Sequence, residues 1–356
     1  MTTEQMDDAL ENGTNVDVFL TASNFTNLAR LVHRGLIAPL ASETLLANMA
    51  KMYAPFRDYV TYQQQVYAYP REVLANTRTV NTELLRMYGS FLGEVPTTMS
   101  EYIEQMRKWY DTSITVGSDS SFTEQNMPET LLEYTLDELV IAYLCEYYQT
   151  DDTRGTYRDF STSDFANMLD SLDFLRVAAF QMTEAEEKPW NAAAWGEKSG
   201  SLYTKVGFTP VVIGFEENEQ YILPPAFDAE DEQCIITYLQ LLVIRADSEK
   251  QAMANAFIEA VAESDIGEKS NFELFEDTDG LVNPGVTEEE LQAYREMLPH
   301  FDLHTGAIIS GMFWGEESAT DVLMAYFHQD LTKEEALSKL DAMQSQWIQQ
   351  QPMGVH

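Results

Sequence analysis

Two histidines, His300 and His304, stand four positions apart, a spacing that would put both imidazoles on one helix face, as metal ligation requires. Pro299 precedes them, Gly306 follows, and no glutamate lies between them, so the zinc-hydrolase pattern is missing and no metal is expected. Asp277-Thr278-Asp279-Gly280 opens like a calcium loop but lacks the third ligand and the terminal glutamate, and it reads as a turn. No glycine-rich phosphate cradle, no G-x-S-x-G elbow and no Cys-His neighbourhood occurs. With 59 acidic residues, some carboxylate pair always suits acid–base work, so a pair is no argument for a glycosidase. The chain is therefore read as a non-enzyme without cofactor.

Aromatic residues in expected loops stand out instead. Trp190 and Trp195 lie in Lys188-Pro189-Trp190-Asn191-Ala192-Ala193-Ala194-Trp195-Gly196, and Trp314 lies in Gly311-Met312-Phe313-Trp314-Gly315. Sugar rings stack their apolar face on indole while their hydroxyls take polar partners, the usual make-up of small-ligand pockets. Packing in a core or between domains remains the competing reading for Trp195 and Trp314. It is the preferred one for Trp109, Trp190 and Trp347.

The chain has 356 residues, more than one core usually serves, with 45% hydrophobic content and a formal net charge of −38. Such a field repels nucleic-acid phosphates and anionic lipid, so neither is an expected partner. Its plain use is solubility, and an acidic cleft for cations is the alternative. Eighteen Tyr, eighteen Phe and sixteen Met exclude disorder. Cys145 and Cys234 form no CxxC pair; two buried free thiols are expected, with one disulfide as the alternative. No apolar run reaches the ~18 residues of a membrane span, and no leader-like segment opens the chain.

In chain order, 2–12 reads as a helix, Val16–Leu20 as a strand, Thr21–Asn24 as a polar loop, and Leu28–Arg34 as a helix capped by Asn24 and stopped at Gly35. Residues 44–52 read as helix, with Tyr59–Tyr62 and Val66–Tyr69 as a strand pair around Gln63-Gln64-Gln65. The strand is expected to end at Tyr69-Pro70, because proline cannot donate to a ladder. An extended stretch then leads to Asn81, which caps the next helix. Thr98 or Ser100 caps a helix over Tyr102–Tyr110; 112–126 is loop, and 128–149 and 162–182 are helical. Lys205–Phe215 and Gln220–Leu223 read as strands, and Cys234–Ile244 as a buried one. Asp247-Ser248 opens a helix whose expected core stripe is Ala252, Met253, Ala256, Phe257, Ala260 and Val261. Thr287-x-x-Glu290 and Thr332-x-x-Glu335 have capping-box spacing in a helical last third.

In series, these landmarks resemble a known family. They are the strand–loop–helix of 16–34, Gly35-Leu36-Ile37-Ala38-Pro39-Leu40, Ala68-Tyr69-Pro70 with Val80-Asn81 and Glu83-Leu84-Leu85, the Pro96-Thr97 approach to a helix, and the apolar strand before Asp247-Ser248. The order is similar to extracellular solute-binding proteins of ABC importers, in particular the sugar-binding group that includes maltose-binding protein.

The resemblance implies a two-lobed α/β fold of the periplasmic-binding-protein type II class, with hinge crossovers near 69–80 and 235–247. Lobe 1 would comprise 1–75 and 245–305; lobe 2 would comprise 76–244 and the C-terminal helices of 306–356. It implies ligand contacts from Thr21, Ser23 and Asn24 in one lobe, Tyr69 at the crossover, Trp195 in the other lobe and Trp314 in the late segment. Thr21, Asn24 and Phe25 stand where the maltose-binding member has tryptophan, aspartate and arginine, which argues against maltose itself. The implied role is capture of a sugar or oligosaccharide by a monomer that hands it to permease subunits, outside the cell or in the periplasm, with a lipid anchor on the full-length form. A peptide or polyamine ligand, a carbohydrate-active enzyme and a surface glycan-binding scaffold are the alternatives. The family's series has a strand before the first helix, so the chain is expected to be truncated or its start assigned late.

Overall fold

The computed structural model describes residues 9–12, 16–23, 28–108, 159–173, 203–209, 218–268, 273–276, 287–303 and 318–350. These residues form a mixed α/β arrangement around one sheet. The described elements begin with β1 (Val18–Ala22), α1 (Leu28–His33), β2 (Ile37–Ala38), α2 (Glu43–Met49), α3 (Ala54–Tyr59), β3 (Thr61–Tyr62), β4 (Gln65–Val66) and β5 (Ala68–Asn81). They continue with α4 (Thr82–Leu92), α5 (99–108), α6 (Ser163–Ser171), β6 (Tyr203–Thr209), β7 (Glu219–Ile222) and β8 (Ile235–Arg245). The last are α7 (Gln251–Glu268), α8 (Glu288–Met297), β9 (Phe301–Asp302), α9 (Ala319–Phe327) and α10 (Lys333–Gln350).

The sheet runs β1-β8-β5-β6; β2 and β9 also pair with β8, and β7 with β5. Its centre is the antiparallel pair β5–β8, from Ala68 against Val243 to Ala75 against Thr237. In β8 only Gln240 and Arg245 escape full burial, as expected of a strand covered on both faces.

β5 does not end at Pro70. It runs fourteen residues through the proline, which stands opposite Leu241, and a bulge drops Arg71 out of the ladder before pairing resumes at Glu72. Proline supplies no donor, so an interruption there costs the ladder little, and the β-branched residues beyond it restart the strand. The expected strand pair shrinks to the two-residue strands β3 and β4, because Tyr59 belongs to α3. Gln63 and Gln64 turn that hairpin with φ of 48° and 66°. β1 starts two residues later than expected and takes in Thr21 and Ala22, which pair with Leu241 and Gln240 rather than lying in a loop.

Buried apolar side chains gather in two clusters. One joins Val80 to Leu92, Met99, Tyr102, Phe160, Phe165 and the inner faces of α9 and α10. The other joins α1, α2, Phe56, Tyr69, the C-terminal half of β8, α7 and α8. No helix among the described residues contributes to both; the sheet strands do. On β5, Leu74 and Val80 pack on the first cluster, while Val73 and Ala75 pack on the second. The alternation continues across the register, with Ile222 and Tyr238 on the first side and Tyr221 and Leu239 on the second.

Helix α7 turns the opposite face inward from the one its apolar stripe suggests. Ala254, Asn255, Ile258 and Ala262 are buried, whereas Met253 is 68% and Phe257 53% exposed. The reason is polar. Asn255 Oδ1 accepts from Ala41 N at 2.8 Å, and Glu259 Oε2 accepts from the Ser42 hydroxyl at 2.7 Å, so one helix face is tied to the turn that opens α2. Ala254 and Ala262 on that face let the helix approach closely.

Several expected caps are present. Asn81 Oδ1 accepts from Leu84 N, Thr98 Oγ1 from Glu101 N, and Thr332 with Glu335 forms a reciprocal box. A further box, of Ser318 with Asp321 at the start of α9, was not among the expected caps. The expected strand Lys205–Phe215 is β6 through Thr209; its remainder, like the expected helix 128–149, lies outside the described residues.

Candidate functional site

The face of the sheet that carries the second cluster becomes polar along β5. After Val73 and Ala75 come Thr77 and Thr79, both almost completely buried, and Thr237 stands beside Ala75 on β8. Threonine is near in shape to valine and suits a strand, so each position could have been apolar without changing the backbone. The hydroxyls have separate fates. Thr237 Oγ1 donates to Ile235 O at 2.9 Å, and Thr77 is engaged as well, while the Thr79 hydroxyl meets no partner among the described residues. Tyr221 pairs with Thr79 across β5–β7.

Beside this row lies the turn after β1. Ser23 N donates to Leu239 O at 2.8 Å, and Leu239 N donates back to Ser23 Oγ at 2.9 Å. The Ser23 hydroxyl also bonds that of Tyr59, and Asp302 lies close enough to act on the same phenol. Enclosure of its hydroxyl end drives the Tyr59 pKa far above the ordinary 10; the Ser23 bond opposes the rise and the Asp302 charge adds to it. Tyr59 is therefore a neutral hydrogen-bonding group at any physiological pH. It can hold a polar partner but cannot act as a base.

The structure brings three of the expected contact residues to this region. Thr21 is 8% exposed on β1, and Ser23 and Tyr69 are completely buried. Tyr69 lies in the second cluster, and the Ser23 hydroxyl serves a backbone amide, so both hold the fold at the edge of the row. Asn24, Trp195 and Trp314 lie outside the described residues, as do Trp109 and Trp190. Thr77, Thr79, Thr237, Tyr59 and Asp302 were not singled out from the sequence. For Thr77 and Thr79 the available signal was Thr77-x-Thr79, two hydroxyls at strand period continuing the face of Val73 and Ala75; Thr237, Tyr59 and Asp302 carried none.

His300 is not on an α-helix, and His304 lies outside the described residues. His300 ends a 3-10 turn, Phe301 and Asp302 are β-strand, and the His300 Nδ1 lies 2.9 Å from Gln233 O. Among the described residues no three His, Cys, Asp or Glu side chains are placed to hold a metal ion. Asp277–Gly280 and Cys145 lie outside them. Cys234, expected to be buried, is half-buried, and its thiol points to Glu232 O at 3.6 Å. No described helix is long and apolar enough to cross a membrane.

No protein-family model matches the chain, and no curated protein sequence matches it.

Proposed function

We propose that this chain is the solute-capturing component of an ABC importer, most simply for a sugar or oligosaccharide, acting without turnover. The observation that carries the reading is the row of buried hydroxyls on one face of the sheet, Thr77, Thr79 and Thr237, beside the turn at Ser23. In the family that the landmark series resembles, two lobes close about a hinge and bury a solute from both sides. The resemblance of the landmark series to the sugar-binding group supports the same reading. The hydroxyl row of Thr77, Thr79 and Thr237, edged by Ser23 and Tyr59, supplies polar groups of the kind that meet sugar hydroxyls. Closure follows if solute contacts exist only in the closed form, since a ligand shifts an equilibrium only by differential affinity. Delivery to permease subunits at a membrane, with the protein on the outer side, completes the proposal.

The test is a thermal-shift and calorimetric screen of the purified chain against sugars, oligosaccharides, peptides and polyamines. Binding that raises Tm, with the solute recovered intact, supports the reading. Consumption of an oligosaccharide would make the protein a carbohydrate-active enzyme, and the absence of any stabilising solute would remove the transport reading.

A further inference from the structure

We infer that Thr79 is a solute-contacting residue, its hydroxyl bonding a hydroxyl or carbonyl of an uncharged, hydroxyl-rich solute. This rests on the solute-binding reading above and names one contact of that site. Thr79 is 1% exposed, and its Oγ1 is without a hydrogen-bond partner. A buried hydroxyl left unmet is costly, and a valine of the same shape would avoid the cost. Thr237, in the same row, shows the usual solution by bonding a main-chain carbonyl of its own strand, and Thr77 has a partner too. At Thr79 the chain keeps a donor and acceptor that no described residue meets.

The position suits a ligand contact. Thr79 lies on the face of β5 that carries Val73 and Ala75, opposite Tyr221, and is as buried as they are. A solute that meets this hydroxyl approaches from the second-cluster face of the sheet, beside Thr77 and Tyr221. The row Thr77, Thr79, Thr237 and Tyr221 is built of hydroxyls, the partners a sugar takes, while the Asp302 carboxylate stands by Tyr59 at its edge.

The experiment compares the wild-type chain with Thr79→Val and Thr79→Ser. Without solute, Thr79→Val should melt at or slightly above the wild type, by about 1–3 °C. A Tm several degrees lower would show that the hydroxyl has an internal partner and would overturn the inference. Glucose, maltose, maltotriose, trialanine and spermidine are then titrated. A sugar should stabilise the wild type, bind Thr79→Val about tenfold more weakly, and bind Thr79→Ser nearly as well as the wild type. Equal sugar affinity in Thr79→Val overturns the role of Thr79 and leaves the solute-binding reading standing. Stabilisation by trialanine or spermidine alone overturns the solute class, and no stabilisation of the wild type by any probe overturns the underlying reading.

Discussion

Ser23 and Leu239, 216 positions apart in sequence, exchange two hydrogen bonds, main chain to main chain at 2.8 Å and amide to hydroxyl at 2.9 Å. The second bond continues the β1–β8 ladder past the point where β1 stops, with a side chain standing in for a backbone carbonyl. Replacing Ser23 by alanine leaves the Leu239 amide buried without its acceptor and removes the partner of the Tyr59 hydroxyl. A loss of about 1–3 kcal/mol is expected, seen as a lower urea midpoint at unchanged m. A midpoint equal to that of the wild type would show that this junction carries no stability.

Helix α7 allows a test of facing. Ile258→Ala should cost about 2–4 kcal/mol, because it opens a cavity under the helix. Phe257→Ala, the larger deletion, should stay within about 0.5 kcal/mol, because its ring lies mostly in solvent. The reverse order of effects in chemical denaturation would mean that the helix sits with its apolar stripe inward.

The hairpin β3–β4 carries an avoidable cost. Gln63 and Gln64 both hold positive φ, a conformation that side chains with a Cβ disfavour. The double variant Gln63→Asn/Gln64→Gly introduces the residue types this turn geometry prefers, and it should raise stability by about 1 kcal/mol in equilibrium unfolding. A fall in stability would argue against the turn.

Three helix starts share an acid-labile device. Hydrogen bonds from the Thr97 main chain and hydroxyl, and more weakly from Thr98, hold the Glu101 carboxyl below its ordinary 4.5. Bonds from the Thr332 main chain and hydroxyl do the same for Glu335, and those from the Ser318 hydroxyl and main chain hold Asp321 below 3.8. A lowered folded pKa means stability that is present above the ordinary value and is lost as pH falls through the lowered one. Melting temperature should thus decline below about pH 4.5, and the decline should be shallower in Glu101→Gln/Glu335→Gln. All three carboxyls are well exposed, so the effect should be modest and weaken in salt. An unchanged slope in the double variant would assign the acid sensitivity to other groups.

Local chemistry made much of the scaffold legible. Asn81, Thr98 and Thr332 mark helix starts because a short side-chain acceptor meets the orphan amides of the first turn, which depends only on residues a few positions away. The apolar run from Ile235 to Ile244 forms a buried strand because nothing else satisfies so many adjacent apolar side chains. Pro70 was a misleading landmark: its missing donor ends a regular ladder, but pairing with Leu241 and a bulge at Arg71 let β5 continue. That outcome depends on β8, a strand from the far side of the chain.

From its own residues, this sequence determined the type of most described helices and strands and which chemistries it lacks the motifs for, since propensity, capping and spacing act over a few positions. Which face of α7 turns inward, what the Ser23 hydroxyl bonds, and where buried threonines line up were decided only by tertiary contacts, of α7 with the Ala41–Ser42 turn, of β1 with β8 and of β5 with β8. Those results depend on partners such as Ala41 for Asn255 and Leu239 for Ser23, far removed along the chain, and no local pattern encodes which distant amide a side chain will meet.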